Sequence, residues 1–145
     1  MRRYTQVFTA KGHILSLIHI LKLKEVSYIH AEAFAAGELK HGTIALIEDG
    51  TPVISLASQH DLYEKMVSNM EEVRARGAYV VAITQEGNTG VEKVAERVIY
   101  IPNTDDLLSP IVAVIPMQIL ALMVSSKKGL DVDKPRNLAK SVTVE

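Results

Sequence analysis

Residues 78–84 read AYVVAIT, an apolar run without the polar alternation of a strand wetted on one face. Such a run fits a strand covered on both faces, the usual state of a strand in a parallel sheet. Residues 51–57, TPVISLA, repeat the pattern around Val53, Ile54 and Leu56, and shorter strands are expected at 4–10 and 97–101. The segments between them carry helical spacing. Residues 59–76 set Leu62, Met66, Met70 and Val73 on one stripe, and helices are also expected over 13–29, 91–96 and 110–126. Alternating strands and helices predict a three-layer α/β domain over residues 1–130, with a central, mostly parallel sheet flanked by helices. In such sheets ligands bind beyond the carboxyl ends of the strands.

Local punctuation supports these bounds. Ser58 with Asp61, and Thr89 with Glu92, have capping-box spacing; Ser109 followed by Pro110 reads as a helix start; Gly77 and Gly129 read as helix ends. Pro116 predicts a kink in the last helix, which is apolar almost all round and is expected to be deeply buried. HILSLIHIL at 13–21 is also apolar on nearly every side, which calls for burial or a second subunit. Residues 131–145 lack periodicity and contain Pro135, so they read as an extended tail, ordered only if something holds it.

Composition excludes several classes. A formal net charge of −1, with both signs spread along the chain, leaves no electrostatic footprint for nucleic acid. The absence of cysteine removes disulfides, thiolate catalysis and cysteine-based zinc sites, and it suits a reducing cytoplasm. His13, His19, His30 and His60 do not pair at metal-ligand spacing, so neither a metal nor a cofactor is expected. The apolar run 111–124 is broken by Pro116 and Gln118 and is too short to span a bilayer, so no membrane partner is expected.

Chemistry-bearing residues gather in 21–42. Helical spacing places Lys22, Glu25 and Ile29 on one side, with Lys22 and Glu25 close enough to pair. AAGELKHG at 35–42 then brings Glu38, Lys40 and His41 together beside two glycines, a loop composition. On its own this is a solvated helix face followed by a polar loop, and Lys140 is a charge on a tail.

Two motifs weigh against that plain reading. KLKEVSYIHAEAFAAGELKHG at 22–42 and DVDKPRNLAKSVTVE at 131–145 resemble the second sugar-isomerase (SIS) domain and the C-terminal tail of the glutamine–fructose-6-phosphate transaminases, the glucosamine-6-phosphate synthase family. The resemblance implies an SIS-type α/β fold with the tail as a catalytic segment, and an aldose–ketose isomerisation coupled to amination. By position it implies that Glu25 carries the proton between the first two sugar carbons and that Lys22 assists at the hydroxyls. His41 would open the sugar ring in a neighbouring subunit's site. Lys140 would form an imine with the open-chain sugar, and Ala139 would add a backbone contact.

The implied ligand is a phosphosugar, fructose 6-phosphate or glucosamine 6-phosphate. The implied assembly is a homodimer, or a complex with a partner chain that supplies missing domains. The chain matches the C-terminal third of the family's enzymes, without their cysteine-bearing glutaminase domain and first SIS domain. Two other readings remain open here. One is a non-catalytic sugar-phosphate-binding or dimerisation domain; the other is a stand-alone phosphosugar isomerase or deaminase.

Overall fold

A computed structural model of the chain describes residues 5–9 and 21–136. Five strands, β1 (Thr5–Thr9), β2 (Ala31–Ala35), β3 (Pro52–Ala57), β4 (Tyr79–Gln85) and β5 (Arg97–Ile101), form one parallel sheet in the order β2-β1-β3-β4-β5. Helix α1, described over 21–27, precedes β2; α2 (Tyr63–Arg74) lies between β3 and β4; α3 (Ser109–Lys127) follows β5.

Alternation along β3 assigns the layers. Val53 and Ala57 point towards Met66, Met70 and Val73 of α2 and towards Ala36, Leu39 and Ile47 of the segment after β2. Ile54 and Leu56 point the other way, towards Leu23 of α1 and Ala113, Met117 and Ala121 of α3. Both faces of the strand are dry, which is why its sequence does not alternate. Each fully buried side chain of this size contributes about 1.5–3 kcal/mol of transfer free energy. Gly77 closes α2 at φ 91°, and a Cβ there would sit 2.8 Å from the Cα of Asp49.

Several local expectations are corrected. Strand β2, AEAFA, was not anticipated, because alanine and glutamate do not favour strands; its register against the whole of β1 overrides propensity. The helix expected over 13–29 ends at residue 27, and its first part, 13–20, lies outside the described residues. The helix expected at 91–96 is a 3-10 turn, Thr89–Lys93, without a side-chain cap. Its Val91 N–H donates instead to the Tyr63 hydroxyl, at 3.1 Å. Nor does Ser58 cap α2. It is hydrogen-bonded to the Ser109 hydroxyl at 3.2 Å, and α2 starts at Tyr63 after a 3-10 turn, His60–Leu62.

Helix α3 continues through Pro116. Its burial is limited to one stripe through Ala113, Met117 and Ala121, while Ile111, Ile115, Ile119, Leu122 and Met123 are exposed. At 19 residues it is long and apolar enough to cross a membrane by length and composition, contrary to the reading of run 111–124; its buried stripe packs on the sheet.

Candidate active site

The chain direction sets where each candidate lies. Each parallel crossover returns from the carboxyl edge of the sheet to its amino edge. Residues 21–27 are the last part of such a return, and the Thr5 N–H donates to the carbonyl of His30, at 3.1 Å, where β2 begins. Helix α3 runs the same way from the end of β5, so the carboxyl ends of α1 and α3 meet at the amino edge.

At that corner Lys22 Nζ donates to Glu25 Oε2 at 2.7 Å, one helical turn along α1. Lys22 is exposed and Glu25 half-buried, while Leu23 between them is in the core and fixes the helix rotation. The last turn is closed by the Ser27 hydroxyl, which donates to the Leu23 carbonyl, and by the Tyr28 N–H, which donates to Lys24 at 3.1 Å. Lys128 reaches across from the end of α3 and donates its ammonium hydrogen to the Ser27 carbonyl. The Arg136 N–H donates to the Tyr28 hydroxyl at 2.8 Å, and the Arg136 guanidinium sits 4.4 Å from the centre of the Tyr28 ring. The tail expected to need an anchor therefore has one, as far as residue 136.

His41 is not part of this corner. It follows the carboxyl end of β2, its neighbour Leu39 packs in the α2 layer, and Lys40 ion-pairs with Glu72 of α2 at 2.9 Å. Among the described residues no hydrogen bond or ion pair joins His41 to Lys22 or Glu25. The fold thus brings Lys22 and Glu25 together and holds His41 on the other face and the other edge. Ala139 and Lys140 lie outside the described residues.

The carboxyl edge, where ligands were expected on general grounds, carries a cleft of about 330 Å³ lined by Gln59, Asp61, Leu62, Asp106, Leu107 and Pro110. Beside it His60 donates from Nδ1 to Asp106 Oδ1 at 2.9 Å, and from its N–H to the same carboxylate at 3.2 Å. That ring hydrogen bond holds the Asp106 carboxyl below the usual carboxylate range. Buried Gln85 ties two loops together, donating to the Ser58 carbonyl at 2.7 Å and accepting from Thr104 N–H at 3.0 Å. A buried glutamine ending an apolar run was a sequence signal for this role. The contact between Tyr28 and Arg136 left none. Among the described residues no group of three potential metal ligands converges.

A five-stranded parallel sheet with helices on both faces defines an α/β fold of the sugar-isomerase type. The chain belongs to the SIS domain family, whose profile matches residues 12–127. A glutamine–fructose-6-phosphate aminotransferase (isomerizing) from Caldanaerobacter subterraneus subsp. tengcongensis is 62% identical over 125 residues, covering 86% of this chain and 21% of that protein. The C-terminal domain of the glucosamine–fructose-6-phosphate aminotransferase of Francisella tularensis superposes with a TM-score of 0.79 at 35% identity, covering 91% of this chain and 38% of that one. A glucosamine-6-phosphate deaminase of Thermotoga maritima superposes at 0.75 with 27% identity, over 95% of this chain and 40% of that one. The chain spans about a fifth of the length of the curated relatives, less than the third expected from its motifs.

Proposed function

We infer that the chain is the C-terminal isomerase portion of a glucosamine-6-phosphate synthase, acting on fructose 6-phosphate. The observation that carries this reading is the Lys22–Glu25 pair, 2.7 Å apart, at the corner where the C-terminal tail is fastened. His41, from another copy, protonates the ring oxygen as the anomeric hydroxyl loses its proton, so the sugar opens to its ketone. The neutral Lys140 amine adds to that ketone and water leaves, giving an imine; ammonia then displaces the lysine. Glu25 takes a proton from the first sugar carbon and returns it to the second, while the hydroxyl proton on the first carbon passes to the imine nitrogen, converting the ketose imine to the amino aldose. Lys22 holds the Glu25 carboxylate and neutralises charge at the neighbouring hydroxyl.

His41 lies away from the other groups, so the working unit is a homodimer or a complex with further domains. It carries no metal or cofactor and works in the cytoplasm. Likeness to the deaminase supports a second reading, a phosphosugar isomerase or deaminase that runs similar imine chemistry in the opposite direction. A third, non-catalytic sugar-phosphate binding or dimerisation, keeps the fold and discards the chemistry.

The test is reductive trapping. The full chain is incubated with fructose 6-phosphate and a hydride reductant, alone and with the remaining domains of a relative. A sugar adduct on the peptide containing Lys140 is expected, absent in Lys140→Arg and retained in Glu25→Gln. Glu25→Gln is also expected to stop solvent deuterium from entering the sugar carbons. No adduct under either condition hands the reading to the binding domain, and an adduct on Lys22 overturns the assignment of the tail lysine.

A further inference from the structure

Tyr28 stands out in the backbone. It has φ 55°, the one non-glycine residue with positive φ among those described. Glycine or asparagine takes this left-handed position after a helix at little cost; a tyrosine does so only if its side chain is held by something else. What holds it is the tail. The hydroxyl accepts the Arg136 N–H, and the ring lies against the Arg136 guanidinium, across 108 positions of sequence. A second fastening lies beside it. The carboxyl ends of α1 and α3 each carry partial negative charge, and Lys128 supplies the cation between them through the Ser27 carbonyl.

We propose that Tyr28 is a positioning residue: it latches residues 128–136 to the end of the helix that bears Lys22 and Glu25, and so sets the reach of the tail lysine. Lys140 follows Arg136 by four residues, so covalent geometry confines it to about 14 Å from the latch. The latch itself stands on described contacts; its catalytic consequence rests on the isomerase reading above.

Two measurements on the full chain separate the two claims. The first is hydrogen exchange at the Arg136 amide, which needs no sugar. Tyr28→Phe keeps the ring and deletes the acceptor, so exchange there is expected to quicken about fivefold, the scale of one hydrogen bond, with β3 and β4 amides unchanged. Tyr28→Gly relieves the backbone and deletes both contacts, so exchange quickens further while the urea midpoint holds or rises. Unchanged exchange at residue 136 in Tyr28→Phe overturns the latch, as does equal acceleration in the strands.

The second measurement is adduct yield on Lys140 against fructose 6-phosphate concentration. Tyr28→Phe is expected to lower the limiting yield severalfold at an unchanged half-saturating concentration, since the tail moves and the sugar's other contacts do not. Loosened exchange with full yield overturns the positioning role. If the unsubstituted chain gives no adduct, alone or with the remaining domains of a relative, the isomerase reading fails and the exchange result still decides the latch.

Discussion

Lys40 and Glu72 form an ion pair at 2.9 Å that fastens the turn carrying His41 to α2, on the sheet face opposite Lys22 and Glu25. A rigid sheet stands between the two sets of groups. No side-chain motion within one chain brings them together, so any reaction using both draws them from different chains or domains.

Complementation follows from that separation. On the isomerase reading proposed above, His41→Ala and Glu25→Gln chains are each expected to be inactive alone and to regain activity when mixed. One site of each mixed dimer then has both groups intact, giving about a quarter of the normal activity at equal proportions. Steady-state rates on mixed and separately prepared variants check this; no recovery on mixing overturns the reading in which both groups serve one site.

The outer face of α3 predicts association. Ile115 and Ile119 are about half exposed, one turn apart, and belong to a stripe that also includes Ile111 and Leu122. A continuous apolar stripe of this length is the mark of a contact surface. Sedimentation at tens of micromolar, roughly the range of weak dimers, is expected to show dimers or larger species. Ile115→Lys with Ile119→Lys shifts them to monomer without altering the unfolding free energy from urea denaturation by more than about 1 kcal/mol, since both face outwards.

Acid sensitivity centres on Asp106. Its carboxyl has an ordinary pKa of 3.8 and is held lower by the hydrogen bond from His60. A depressed carboxyl stabilises the fold fully above its unfolded pKa, and the contribution is lost as pH falls through the lower folded value. The unsubstituted chain is therefore expected to lose more stability than Asp106→Asn from about pH 4 downwards. Urea midpoints of both proteins at neutral and acid pH give the comparison; parallel curves exclude the link.

Gly77→Ala tests the backbone instead of a charge. The left-handed φ and the 2.8 Å approach to Asp49 both oppose a side chain there. A loss of about 1–3 kcal/mol is expected, measured by urea denaturation.

The legibility of this chain follows the kind of signal each element leaves. Strands β3 and β4 were readable because their β-branched runs need two dry faces, and β5, a mostly exposed edge strand, from its short β-branched and aromatic run. Strand β2 was hidden because four of its five residues, three alanines and a glutamate, suit a helix at least as well, so its conformation comes from pairing with β1. The capping boxes failed where a distant partner competed: Ser58 is bonded to Ser109, and the N–H that opens the turn after Gln59 goes to Asp106. Lys22 with Glu25 was readable from helical spacing. The layer holding His41 was not, since periodicity gives a helix face but not the side of the sheet on which a loop settles.

The strand order also dictates how this sheet must be assembled. β1, the first strand of this sheet in sequence, ends up in the interior of the sheet with neighbours on both sides. β2 follows it after one crossover, but β3 arrives roughly forty residues later, and closing that loop costs entropy before any pairing repays it. β3 pairs with β4 and β4 with β5, each the next strand in sequence, so this half can build from the other end. The β1–β3 seam, Val7 against Ile54, is where the halves join. Until it closes, β1 and β3 each present an open strand edge in addition to those of β2 and β5, so synthesis itself is the stage at which this domain is most exposed to mispairing.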